Sequence, residues 1–271
     1  MKKHIVLSVN DNFDYLYFTP LTCWAWRKFG WEPIIIYRGD TDGFDGRISD
    51  LVFELCGFES MKVLKQIEGY RSDTITQVSR LYASHMVEEE SYLMTGDIDM
   101  IPLSDYWKPD LTVPTVYGHD LTGFGHYPIC YIGMPKSIWD FVMSSHKDES
   151  IADHMKRDLD SLPQAKDTDF YKYWFTDQDL ITERLKQYGT GKIEFVNRGQ
   201  GSHGYARGRV DRGSNGWVLD QPELIDAHLQ QQTHHSEEKI ARLMQLLRHV
   251  WPGEDFTWLE KYTEEFRKLA V

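Results

Sequence analysis

The sequence predicts an α/β fold: a mostly parallel central sheet flanked by helices, with a helical pair at the C-terminal end. Three observations predict it. Short apolar runs alternate with amphipathic segments through the N-terminal part of the chain, the pattern of successive βα units. Glycines and prolines punctuate that alternation where helices stop and start. An apolar run at 92–95 then ends in Gly96 and two carboxylates, Asp97 and Asp99, where open α/β sheets bind ligands.

Residues 4–9 (His-Ile-Val-Leu-Ser-Val) read as a first buried strand, ended by Asn10, Asp11 and Asn12. Thr19-Pro20 predicts an N-cap followed by proline at the first helical position, and Gly30 a stop one residue past the end. Residues 33–37 read as a second strand, 47–56 as an amphipathic helix closed by Gly57, and 61–67 as a third strand. Residues 73–86 read as a helix, with Ile75, Val78, Leu81 and Tyr82 at core spacing. Beyond Pro109 the alternation loosens. Strands are expected at 113–117 and 130–134 around a Gly/His/Tyr-rich loop at 118–128, helices at 137–145 and 150–159, a helix at 177–188 stopped by Gly189, and strands at 192–196 and 217–219. Residues 200–216, rich in Gly, Arg and Ser, read as a mobile loop. Helices at 236–250 and 254–269, joined through Pro252-Gly253, complete the chain. No repeat or linker appears, so one domain over 1–271 is expected.

Composition narrows the function. A hydrophobic content of 41% suffices for a packed core. Nine Trp and fifteen Tyr exceed ordinary core needs, and such rings also suit flat ligands such as bases and sugars. A net charge of −12 argues against nucleic-acid partners, whose backbones need basic patches. An acidic protein that binds phosphates needs a cation to offset its charge. Cys23, Cys56 and Cys130 are isolated, which favours free thiols in a reducing, cytoplasmic setting. Neither a signal peptide nor an apolar run long enough for a membrane span is seen.

The chemistry concentrates in a few places. Residues two apart on a strand face the same side, so Asp97 and Asp99 are expected to converge and hold a hard divalent cation. The plainer reading, a solvated turn, is opposed by the apolar residues on both sides, among which unpaired charge is costly. Asp177-Gln178-Asp179 opens a helix after an aromatic cluster. Thr176 or Asp177 as N-cap explains that composition, and a carboxylate at the mouth of a site, acting as a base, is compatible with it. His228 stands in an apolar frame (Leu224 to Leu229) and is a third metal ligand or a hydrogen-bonded histidine; His234-His235 reads as loop. Arg80 can reach a diphosphate or lie on a solvated face. Asp11 and Asn12 can bond a ribose or base, or close an Asx turn. His119, Asp120, His126 and Tyr127 can line an acceptor pocket. Arg207, Arg209 and Arg212 can close over phosphates as a lid or form a solvated basic loop.

In order, these segments resemble a metal-dependent GT-A glycosyltransferase: a polar first-strand tip, Gln77-x-x-Arg80, Gly96-Asp97-Ile98-Asp99 before Ile101-Pro102-Leu103, Asp177-Gln178-Asp179, and Asp226-Ala227-His228-Leu229. The resemblance spans roughly Lys3 to Gln230, through the order of its motifs rather than close identity. It implies a Rossmann-like nucleotide-sugar half over 1–108, an acceptor-side half over 109–230, and a helical extension over 231–271. It implies Mn²⁺ or Mg²⁺ held by Asp97, Asp99 and His228, and a nucleoside diphosphate sugar, most often a UDP-sugar, touching Asp11, Asn12, Arg80, Asp97 and Gln178. Asp177 would be the acidic residue of the reaction centre, with Asp179 as its rival, and the acceptor would be a hydroxyl of a glycan, a glycoconjugate or another acceptor. The Asp-Gln-Asp motif departs from the Glu-Asp of many inverting members. Stereochemistry therefore stays open, as do the roles of the C-terminal pair: covering the site, dimerising or touching a membrane.

Two other readings compete. A sugar-phosphate nucleotidyltransferase predicts a glycine-rich basic loop after the first strand, where this chain has Asn10-Asp11-Asn12-Phe13-Asp14. A noncatalytic carbohydrate-binding protein would tolerate loss of Asp97 or Asp177, and both are present.

Overall fold

Four strands carry the N-terminal half of the sheet: β1 (Lys2–Asn10), β2 (Glu32–Arg38), β3 (Met61–Val63) and β4 (Ser91–Thr95). The computed structural model describes residues 1–39, 46–118, 125–146, 148–199, 206–213 and 216–270. Short β5 (Met100–Pro102) leaves this sheet, while β6 (Thr115–Tyr117), β7 (Ile132–Pro135) and β8 (Glu194–Val196) extend it; β9 (Arg209–Val210) and β10 (Asp226–His228) join β5 in a second, three-stranded sheet. The large sheet runs β3-β2-β1-β4-β7-β6-β8. Among the described strands of that sheet, only β7 opposes its neighbours. The expected α/β class with a mostly parallel sheet is the observed one.

The helices are α1 (Phe13–Leu16), α2 (Thr19–Lys28), α3 (Gly46–Cys56), α4 (Ser72–Ser79), α5 (Lys136–Val142), α6 (Ile151–Asp160), α7 (Phe170–Tyr173), α8 (Thr176–Tyr188), α9 (Glu237–Val250) and α10 (Thr257–Leu269). Alternation along β1 sorts them into two layers. Ile5, Leu7 and Val9 face one core with α2, α3 and the C-terminal helices, whereas Val6 faces the other with α4, α6 and α8. The C-terminal pair seals the first core. Tyr17 and Thr263 share a hydrogen bond of 2.7 Å, the Tyr262 hydroxyl donates to the Tyr17 carbonyl, and Trp24 packs edge-on against Trp251.

Several boundaries differ from the sequence reading, each for a physical reason. Phe18 rather than Thr19 precedes α2, so Pro20 sits at its second position, where a missing N–H still costs nothing. The expected strand at 61–67 stops at Val63: Met61, Lys62 and Val63 are in register with β2, and the Leu64 N–H makes the last bond to it, on the Tyr37 carbonyl. The helix at 73–86 tightens after Ser79 into a 3₁₀ segment, Arg80–Met86. Trp217, Val218 and Leu219 are irregular; the paired segment lies later, at Asp226–His228. Of the two expected loops, 119–124, 200–205 and 214–215 lie outside the described residues. Gly30 (φ 73°) does close α2 in the left-handed region. Among the described residues no helix is long and apolar enough to cross a membrane. Cys23 and Cys56 are buried and Cys130 half-buried, all as free thiols.

Candidate active site

Connections run outward from β1 through β2 to β3, then return to place β4 on the other side of β1. The C-terminal ends of β1 and β4 therefore flank a topological switch point, where a crevice opens in sheets of this kind. A cleft of about 440 Å³ lies there. Asn10 and Asn12 line it from the β1 side, Asp97 and Asp99 from beyond β4, Arg80 from beyond α4, Asp177 and Gln178 from α8, and His228 from β10. Of the positions expected to serve donor, metal or catalysis, Asp11 and Asp179 are not in its wall.

Arg80 organises one end. Burial would strip its charge, but Asp97 and Asp177 hold the guanidinium protonated well above its ordinary range. Nη1 donates to the Gly96 carbonyl at 2.9 Å and to Asp97 Oδ1, Nη2 to Asp177 Oδ2 at 2.9 Å, and Nε to the Gln77 carbonyl at 3.1 Å. Gly96 itself is set by packing against β1: a Cβ there would lie 2.9 Å from Ile5 Cδ1. Asp177 is 1% exposed. Burial pushes its carboxyl up, and Arg80 pulls it back without cancelling the shift. Phe175, not Thr176 or Asp177, occupies the N-cap position of α8, with no side-chain cap. The Thr176 hydroxyl instead donates to the Tyr173 carbonyl, and Asp177 accepts from the Gln178 N–H at 2.8 Å while engaging Arg80.

Asp97 and Asp99 correct the expectation of a continuous strand. The backbone turns after Thr95, closed by the Met100 N–H on the Asp97 carbonyl, and resumes as β5 in the other sheet. The two carboxylates take different partners within the same cleft: Asp97 pairs with Arg80, and Asp99 with His228. The second sheet delivers His228. Its register sets His228 against Met100, and the Leu229 N–H donates to the Asp99 carbonyl at 2.8 Å. His228 Nε2 lies 3.2 Å from Asp99 Oδ2, and Nδ1 lies 3.5 Å from Asp211 Oδ2. Burial opposes protonation of this ring, but Asp211 and Asp99 outweigh it and raise the imidazole to about 9.

The remaining residues divide. Asp11 accepts from the Tyr37 hydroxyl. The Asn12 side chain caps α1, accepting from the Asp14 N–H at 3.0 Å. Asp179 is half-buried and faces His126 Nδ1 at 3.4 Å. His119 and Asp120 lie outside the described residues; Tyr127 is buried. The three arginines read as either a phosphate lid or a solvated basic loop take three different places. Arg209 is locked on buried Asp226, Arg207 is exposed near Glu223, and only Arg212 reaches the cleft, 3.4 Å from Asp99. His234 lies in a 3₁₀ turn, buried against Tyr17 and Phe266. Sequence reading missed Tyr15, Asp73 and Gln231 in the cleft wall and Asp211 behind His228. None of these carries a local signal; chain pairing alone brings them in.

No family model and no curated protein matches the sequence. Solved structures do match. One is the galactosyltransferase LgtC in complex with donor and acceptor sugar analogs, at a TM-score of 0.49 and 15% identity, over 99% of this chain and 96% of that one. Another is an active-site mutant of LgtC, also at 0.49 and 15%, over 98% and 95% of the two chains.

Proposed function

We propose that this chain is a metal-dependent glycosyltransferase that moves a sugar from a nucleoside diphosphate sugar, a UDP-sugar, to a hydroxyl of a glycan acceptor. One observation carries the reading: buried Arg80 joins Asp97 and Asp177 at the switch point of the sheet, in a cleft that also holds the Asp99–His228 pair.

Mn²⁺ or Mg²⁺ fits the spacing of part of the donor set, with His228 entering as the neutral imidazole. Two ligand atoms in adjacent positions on an ion, each roughly 2.1 Å from it, lie about 3 Å apart, close to the 3.2 Å between Asp99 Oδ2 and His228 Nε2. Among the described residues no three His, Cys, Asp or Glu side chains converge as a metal group; Asp97 would complete it by offering the oxygen it does not share with Arg80. An imidazole in the set favours Mn²⁺ over Mg²⁺. When bound, the ion neutralises charge on the departing diphosphate.

The chain's own groups account for the rest. The bond from the anomeric carbon to the diphosphate oxygen breaks, a bond to the acceptor oxygen forms, and the acceptor proton passes to Asp177 or to the departing diphosphate. Arg80, held rigid by four hydrogen bonds, offers a preorganised positive charge to the leaving group. Asp177 is the acidic residue at the reaction centre, since it lies in the cleft and Asp179 does not. Its raised carboxyl makes it a stronger base than an ordinary aspartate. The β1 tip bears on the rival nucleotidyltransferase reading: it runs into the capped α1 with no glycine-rich basic loop for a triphosphate.

A thermal-shift panel of UDP, GDP, CMP and ADP, with and without Mn²⁺, tests the proposal. A ligand at ~100 times its dissociation constant stabilises by about 2.7 kcal/mol. A shift with UDP only when Mn²⁺ is present is the expected result. No shift with any nucleotide would overturn the donor assignment and leave a carbohydrate-binding protein as the better reading.

A further inference from the structure

We infer that Asp211 is a positioning residue for the cation site: it holds the His228 ring with Nε2 turned to Asp99 and the cleft. This rests on the metal assignment above.

The argument begins with strand pairing. β9 runs parallel to β10 with Arg209 opposite Asp226 and Val210 opposite Ala227. The next step of the same register sets Asp211 beside His228. Their side chains meet there, with Asp211 Oδ2 3.5 Å from Nδ1. The two ring nitrogens of an imidazole point away from each other, so a carboxylate at Nδ1 leaves Nε2 on the far side, 3.2 Å from Asp99 Oδ2. His228 and Asp99 line the cleft and Asp211 does not, so Asp211 acts through the ring rather than on a ligand. With a cation on the Asp99 side of the ring, an Nδ1–H held by Asp211 would keep the one remaining ring proton off Nε2, leaving the lone pair a metal requires.

Asp211 is itself anchored. It is 8% exposed, its Oδ1 accepts from the Gly213 N–H at 3.3 Å, and its own N–H donates to the Gly216 carbonyl at 2.8 Å. The strand before it is pinned from below. Asp226 is fully buried and accepts from Arg198 at 2.9 and 3.0 Å and from Arg209 at 2.8 and 3.2 Å. Arg209 immediately precedes Val210 and Asp211, so this buried knot fixes the height at which the Asp211 carboxylate meets the ring.

The test reads metal binding directly. MnCl₂ is titrated into the full chain, alone and with UDP, and free Mn²⁺ is followed by electron paramagnetic resonance. Asp211→Asn should weaken Mn²⁺ binding by roughly 10–100-fold, with thermal melting close to that of the wild type. Asp211→Glu, which keeps the charge, should recover most of the loss. In a His228→Gln background, Asp211→Asn should cost nothing further, because its effect passes through the ring. Electron spin-echo modulation from a metal-bound imidazole nitrogen should be present in the wild type and weakened in Asp211→Asn. Should that variant fail to fold, Asp211→Ser and Asp211→Glu carry the same comparison. Wild-type binding with an unchanged affinity in the Asp211 variants overturns this inference alone, as do additive losses in the double variant. Absence of Mn²⁺ binding by the wild type overturns both it and the metal assignment.

Discussion

Arg80 and Asp177 meet across the cleft: Nη2 lies 2.9 Å from Oδ2, although 97 residues separate the two in the chain. Both side chains are almost wholly buried. The contact ties the segment after α4 to the first turn of α8, and through Asp97 to the end of β4. Arg80→Ala would leave Asp177 buried without its partner, so a loss of about 3–5 kcal/mol is expected in chemical denaturation. Arg80→Lys cannot reproduce the forked contacts and should recover only part of it.

Asp177→Asn keeps the shape of the site and removes the charge. Donor-nucleotide binding, read by thermal shift with UDP and Mn²⁺, should persist, while sugar transfer should fall by at least about 100-fold. Retained activity would move the role to Asp179 or elsewhere.

Asp97→Ala and His228→Ala should each abolish the Mn²⁺-dependent part of nucleotide binding. The effects differ in stability. Asp97 is partly exposed and shared with Arg80, whereas His228 is confined between Asp99 and Asp211. Calorimetric titration of UDP with and without Mn²⁺ separates the two outcomes: metal-independent affinity unchanged, metal-dependent affinity lost.

Asp226→Asn should destabilise the fold by about 3–5 kcal/mol, because two buried arginines then face a neutral amide. The arginines outweigh burial and hold the Asp226 carboxyl well below the usual range. The stability it contributes is therefore present above the unfolded carboxylate pKa of about 3.9 and is lost as pH falls below it.

His234 predicts a second, milder pH window. Burial lowers this imidazole to about 4, with His235 and Arg267 acting in the same direction and Asp14 opposing. The folded state keeps it neutral, whereas the unfolded chain protonates it near the ordinary value of about 6.5. Its contribution is complete above that value and is lost as pH falls toward 4, on the order of 2 kcal/mol by about pH 5. Thermal melts of wild type and His234→Gln across this range should show a shallower acid slope in the variant. Identical slopes would assign the acid sensitivity to other groups.

Local pattern was enough to read β1, β2, α2, α3 and α8, because apolar runs, amphipathic spacing and the glycines that stop α2, α3 and α8 are written in neighbouring residues. The same logic placed Gly96-Asp97-Ile98-Asp99 at a sheet edge and marked Arg80, Asp177 and His228 as candidates, all of which line the cleft. It failed where an element depends on a partner far along the chain. The stretch after Met61 pairs with β2 only as far as Val63, with a last bond from the Leu64 N–H to the Tyr37 carbonyl, and β9 and β10 exist through contact with each other and with β5. That pairing, not the spacing of the two aspartates, sends Asp97 to Arg80 and Asp99 to His228, and it sets Asp211 behind the ring. Hydrophobic period and turn chemistry act over a few residues and can be read from them. The direction of a carboxylate depends on charges brought near by register between distant strands, and these only the folded chain supplies.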